Sequence, residues 1–109
     1  MRAPPLGAMR HRLTIESPKD SADGFGGFIR SFEARAIVFA AMEHVKMQQY
    51  ADAFGERVEI THLMRLRSSA DVAAGWRLRK GARRFDIIAV LPDDQASGFI
   101  LCHCRELAP

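Results

Sequence analysis

Apolar residues recur at every second position through much of the chain, the period of a β-strand whose successive side chains face opposite ways. In VEITHLMRLR (58–67), Val58, Ile60, His62, Met64 and Leu66 share one face, and Glu59, Thr61, Leu63, Arg65 and Arg67 share the other. MRHRLTIE (9–16) alternates likewise, with Met9, His11, Leu13 and Ile15 on one side. SPKDSADGFGGF then brings Pro, two Asp and three Gly together, the chemistry of a turn. FIRSF (28–32) resumes as a short strand and makes a hairpin with the first. AIVFAAMEHV (36–45) has alanines that allow a helix, but Ile37, Val38 and Phe39 favour a strand, here a buried one. WRLR and RRFDIIAVL pair around Lys80-Gly81-Ala82, and Pro92-Asp93-Asp94 turns the chain into FILCHCREL.

One segment changes period. In KMQQYADAFGE (46–56), Met47, Tyr50, Ala51 and Phe54 fall at i, i+3, i+4 and i+7, and Gly55 suits a C-cap. The spacing predicts a short helix of about three turns, whose apolar side must pack on something, first of all the domain's own sheet. The expectation is a mainly β domain: a small barrel or sandwich of six to seven short strands with one short α-helix. Residues 1–8, rich in proline and small residues, read as a flexible arm, and 9–109 as a single domain.

At 109 residues and 12.2 kDa, such a domain buries a modest core and gains from neighbours. No apolar run approaches the ~20 residues that span a bilayer, so no membrane association is expected. Two prolines sit where an export signal would need an apolar core. Two cysteines, Cys102 and Cys104, make no disulfide framework, which suits a reducing cytoplasm. Thirteen arginines stand against three lysines, for a net charge of +3. Seven bases lie between residues 65 and 84 (Arg65, Arg67, Arg77, Arg79, Lys80, Arg83 and Arg84), opposed there only by Asp71. That asymmetry fits either a nucleic-acid surface or a solvated outer face of two strands.

Candidate chemistry is thin. Cys102-His103-Cys104 places three metal ligands together, but a strand turns His103 away from both cysteines, and no second pair stands at zinc-ligand spacing. His11, His44, His62 and His103 each sit within a strand pattern, and no nucleophile motif or phosphate-cradling loop accompanies them. DGFGGF joins two strands and opens no helix. No enzyme activity, metal or cofactor is therefore expected. His62, in the middle of an apolar face, reads as a neutral, hydrogen-bonded residue of the core or of a subunit interface, since burying its charge is costly.

Taken in order, these landmarks resemble the head–tail joining family of tailed bacteriophages, the head-closure or stopper proteins, with relatives in gene transfer agents. The resemblance spans residues 9–107 through MRHRLTIE, DGFGGF before FIRSF, AIVFAAMEHV leading into KMQQYADAFG, ITHLMRLR, RRFDIIAV and ILCHCREL. Its most specific pieces are Thr61-His62-x-x-Arg65 and the Arg-x-Phe-Asp-Ile element around Arg83 or Arg84, Phe85, Asp86 and Ile87. The family's third strand usually carries an aromatic, often tryptophan, near Phe39, its turn often has tyrosine where Phe25 stands, and Ser or Thr commonly caps its short helix. Here Phe39 keeps the aromatic but not the indole, Phe25 stands in the turn, and His44-Val45-Lys46 precedes the predicted helix.

The resemblance implies a structural ring, usually twelve-fold, at the head–tail junction of a phage or phage-like particle, made in the bacterial cytoplasm. Its partners would be copies of itself, the portal or adaptor ring, tail terminator or tail tube proteins, and the DNA it retains and then passes. By family analogy the 43–56 segment would face the channel, with Lys46, Gln48, Gln49, Asp52 and Glu56 polar toward DNA or a neighbouring loop. Met47, Tyr50, Phe54, His62, Arg65, Arg67 and Arg84 would meet subunits or partner rings. The competing expectation is a sequence-independent nucleic-acid-binding β-domain using the arginines of 65–84.

Overall fold

The computed structural model describes residues 9–51 and 55–109, with backbone alone over 47–51. Six strands close into one antiparallel barrel: β1 (His11–Ala22), β2 (Phe28–Ala51), β3 (Arg57–Arg67), β4 (Arg77–Lys80), β5 (Arg83–Pro92) and β6 (Phe99–Glu106). Around the barrel the order is β1-β2-β3-β6-β5-β4, and β4 returns to β1 through Thr14–Arg79, Ile15–Leu78 and Glu16–Arg77. Closure removes the exposed strand edges that an open sheet of this size would present.

The alternation read from sequence sets what lies inside. Leu13, Ile15, Ala40, Met64, Leu66, Leu78, Phe85, Ile87, Cys102 and Cys104 form the core. Ala70, Val72 and Trp76, from the connection after β3, pack against it. The Trp76 carbonyl accepts from the Ile87 amide, and the Gly75 amide donates to the Ile87 carbonyl, tying that connection to β5.

Two expectations are corrected. FIRSF and AIVFAAMEHV are one continuous strand, β2, which pairs with β1 from Phe28 to Ala40 and with β3 from Ala41 onward. The helix predicted over 46–56 is absent among the described residues: Gln48, Gln49, Tyr50 and Ala51 pair with Ile60, Glu59, Val58 and Arg57. Ladder pairing there overrides the local helical spacing. Residues 52–54 lie outside the described part, and so do residues 1–8, where the arm was expected. Among the described residues no helix is long and apolar enough to cross a membrane.

Candidate functional site

The most distinctive feature is the outer part of the β1–β2 hairpin. Its ladder runs to Ala22–Phe28, and the turn is built by Asp23, whose Oδ1 accepts from the Phe25 amide (2.7 Å) and the Gly27 amide (3.0 Å). Gly24 and Gly26 take φ of 84° and 86°, conformations that cost side-chain-bearing residues energy. A Cβ on Gly27 would stand 2.6 Å from Asp23 Oδ2. The turn thus needs this acid and these glycines, and it thrusts Phe25 outward, 95% exposed.

Behind it, Phe28 and Ile29 are 75% and 61% exposed although they point to opposite faces of the ribbon. A two-stranded ribbon has no layer on either side, and such a unit is marginal alone in water. Asp20 and Arg30 pair across it at 2.9 and 3.2 Å. At its base the Arg77 guanidinium lies 3.8 Å over the Phe32 ring while donating to Asp86, which braces the ribbon against the barrel.

Further along β2, Ile37 and Phe39 are also more than half exposed. This corrects the reading of AIVFA as a buried strand: only its inward face, Ala40 with part of Val38, belongs to the core. Beside them lies a groove of about 550 Å³ lined by Met9, Ala36–Phe39, Arg67, Ser69 and Ala70. Exposed large apolar side chains gathered on a small domain make this stretch a candidate interaction surface.

The residues singled out from sequence fall elsewhere. Arg65 is buried: its Nε donates to Asp93 in the turn after β5, so this guanidinium is committed within the subunit. Burial alone would push the Asp93 carboxyl up, but Arg65 and the Gln95 and Ala96 amides hold it below its ordinary value. His62 is buried too, with Nδ1 2.9 Å from the Thr61 hydroxyl, which accepts from the Glu106 amide at 2.8 Å. Its ring meets His44 and Phe85 edge-on, each at 5.0 Å. Burial lowers its pKa; Glu106 pulls the other way, and His44 and Arg83 add to the lowering. His62 therefore sits neutral in the wall of the subunit at neutral pH.

Arg67 is exposed, with its guanidinium 5.5 Å from the Phe99 ring centre, and Arg84 donates to the Ala108 carbonyl at 2.9 Å. Lys46 and Glu56 are exposed on either side of the β2–β3 turn. Gln48, Gln49 and Tyr50 are placed by backbone only, on the β2–β3 ladder, Met47 by backbone only within the register shift before it, and Asp52 and Phe54 lie outside the described residues. The structure does not draw these candidates into one cluster.

The basic run also looks different once folded. Arg65, Arg77, Arg79 and Arg83 pair with Asp93, Asp86, Glu16 and Glu106, and Lys80 Nζ lies 2.8 Å from His11 Nδ1. Most of the cations of 65–84 thus have a partner within the subunit, which fits a balanced outer wall better than a phosphate-binding stripe. Cys102 and Cys104 are wholly buried. Burial drives the Cys102 thiol to about 12 and Cys104 well above its ordinary value, the opposite of a metal-ready thiolate. Among the described residues no group of three His, Cys, Asp or Glu could hold a metal ion.

Sequence reasoning missed Phe25, Phe28, Ile29, Ile37 and Phe39 as site residues. The available signals were a phenylalanine enclosed by glycines, where no neighbour can bury it, and a segment apolar on both faces.

Comparison with known proteins agrees with this architecture. The chain is similar to a component of the virion of a native gene transfer agent particle, at 26% identity over 90% of this chain and 94% of that one, with a TM-score of 0.65. A Shigella flexneri 2a protein solved in solution shares the fold, at 24% identity over 92% and 94% of the two chains and a TM-score of 0.67. No curated protein matches the sequence. The family model for phage head completion proteins matches residues 4–107. Nearly the whole chain is covered by that match, and the protein belongs to the phage head completion protein family.

Proposed function

We propose that this protein is a head–tail connector, or head-closure, subunit: a ring between the portal or adaptor and the tail of a phage or phage-like particle, which retains the packaged DNA and then lets it pass. The observation that carries this reading is the uncovered apolar ribbon, with Phe25, Phe28 and Ile29 at its outer end and Ile37 and Phe39 at its root. A subunit of a closed ring must bring two different parts of its surface together, and here a protruding element and a recessed wall both stand ready. The gene transfer agent relative, a virion component, supports the particle setting.

In this reading the β2–β3 end, residues 43–56 with Lys46, Gln48, Gln49, Asp52 and Glu56, faces the channel. Met47, Tyr50 and Phe54 seal against neighbouring copies, and Arg67 and Arg84 meet adjacent subunits or partner rings. DNA slides past a wall whose arginines are already paired, so it is not gripped. The partners are further copies of the chain, closing a twelve-fold ring as in the family, and the rings of the portal side and the tail side. The site is the head–tail junction of a particle assembled in the bacterial cytoplasm.

Cryo-electron microscopy of intact particles tests this directly. A ring of this chain between portal and tail, with 43–56 on the channel side, is expected. A ring with that segment outside moves the gate to another protein, and absence from the junction overturns the connector role.

A further inference from the structure

We infer that the Phe25 tip of one subunit docks into the Ile37–Phe39 groove of the next, so that a head-to-tail contact between copies of this chain builds the ring; this rests on the connector reading. Both halves of the contact are on one chain, and neither is covered by the described residues. The tip presents Phe25 and Phe28, and the groove presents Ile37, Val38, Phe39 and Met9 around about 550 Å³ of open space, room for aromatic side chains.

The tip of a subunit cannot reach its own groove. Phe28 and Ile37 lie nine residues apart on the same strand, roughly 30 Å at about 3.3 Å per residue. The ribbon between them is held extended by its ladder from Ala22–Phe28 to Ile15–Ala36. The contact is therefore between molecules, and it joins two different surfaces, the arrangement that closes rings.

Charge favours the same pairing. Asp20 and Arg30 cancel across the hairpin, which leaves the Asp23 carboxylate as the charge at the turn. Arg67 is the one charged side chain among the described residues lining the groove. Docking brings acid toward base and apolar ring against apolar wall. Two phenylalanines bury on the order of 150–250 Å² each, below the roughly 800 Å² per partner of a stable pair. A single contact is therefore weak, and ring closure on a neighbouring ring makes it persist.

The test replaces Phe25 with the photoreactive p-benzoylphenylalanine in the full chain, assembles particles, irradiates them and maps the linked peptides by mass spectrometry. Links from position 25 to residues 36–39 or 67–70 of a second copy are expected. Links to a portal-side or tail protein would mean that the tip serves another ring, and links to residues 1–8 of a second copy would mean that the tip meets the N-terminal segment instead. Either result overturns the docking while leaving the connector reading intact, provided micrographs show the ring. If no ring is present, both fail together. As a control, Phe25→Asp and Phe39→Asp should each abolish ring assembly with the thermal midpoint of the free subunit unchanged. Normal assembly of either variant overturns the docking.

Discussion

Arg65 and Asp93, 28 residues apart in sequence, meet as an ion pair whose side chains are only 6% and 1% exposed. The pair fastens the turn after β5 onto the outer face of β3, so a residue that sequence assigns to the polar side of a strand becomes a structural tie. Removing one partner strands the other charge. Arg65→Leu should cost roughly 1.5–3 kcal/mol, the scale of a hydrogen bond to a charged group, read as a drop in the urea midpoint. Arg65→Leu with Asp93→Leu should recover much of that loss, because replacing both partners by apolar groups removes the stranded charge. A double-variant loss equal to the sum of the Arg65→Leu and Asp93→Leu losses would show that the pair is not coupled. Because the folded Asp93 pKa lies below its ordinary 3.8, its contribution is present above that pH and is lost as pH falls through the folded value.

The histidines set a second, milder pH dependence. His11, His62 and His103 all have folded pKa values below 6.5, burial being the largest cause in each. The folded protein then binds fewer protons than the unfolded chain once pH drops to about 6.5. Stability is complete above that pH and is lost as pH falls from it through the folded values. Thermal midpoints should be lower at pH 5.5 than at pH 7.5, and His62→Gln should flatten the difference. An unchanged slope in that variant would move the effect to His11 and His103.

How much of this was legible in the sequence depends on where alternation survives. In β1, β5 and β6 the core residues fall two apart: Leu13 and Ile15, Phe85 and Ile87, Cys102 and Cys104. In β3, Ile60, His62, Met64 and Leu66 do the same, although Leu63 and Arg65 on its other face are buried too. Leu13, Ile15, Met64 and Leu66 could therefore be assigned inward from sequence. β2 loses the two-residue period twice. Opposite Ile15 and Glu16 the register slips between Ala36 and Ala34, which makes one strand read as two. From His44 to Gln48, β2 advances four residues while β3 moves two, from His62 to Ile60. That irregularity breaks the two-residue period just where Met47, Tyr50, Ala51 and Phe54 stand three and four apart in sequence, so the segment reads as a helix. The exposed groove was illegible for another reason: AIVFA is apolar on both faces, and sequence does not say whether the second face is covered within the subunit.

The two thiols should be inert in the folded protein. Cys102 and Cys104 are fully buried with raised pKa values, Cys102 at about 12, so little thiolate forms near neutral pH. Reaction with a disulfide reagent should be negligible under native conditions and rapid for both in denaturant. Fast labelling of one thiol in the native state would show that the β6 wall opens.

Free subunits should bind DNA weakly and with little salt dependence. If the seven bases of 65–84 all met phosphates, the log–log slope would approach about −6, at about −0.9 per contact. Since Arg65, Arg77, Arg79 and Arg83 are paired within the subunit, a slope nearer zero is expected in a fluorescence titration. A steep slope would favour a nucleic-acid-binding role over the connector.

The last prediction separates assembly from folding. Asp23 accepts two amides of the turn that presents Phe25, yet it lies at the far end of the ribbon from the core. Asp23→Ala removes two hydrogen bonds worth about 0.5–1.5 kcal/mol each, but the loss is local, because the ribbon end can open without disturbing the barrel. The thermal midpoint should therefore hardly move, while amide exchange at Phe25 and Gly27 rises and particle assembly falls. Gly24→Ala should act the same way, through strain at a positive φ and not through a lost bond. A large fall in the midpoint for either variant would mean that the hairpin folds as one unit with the barrel. Normal assembly with an opened turn would show that the position of Phe25 does not matter to the ring.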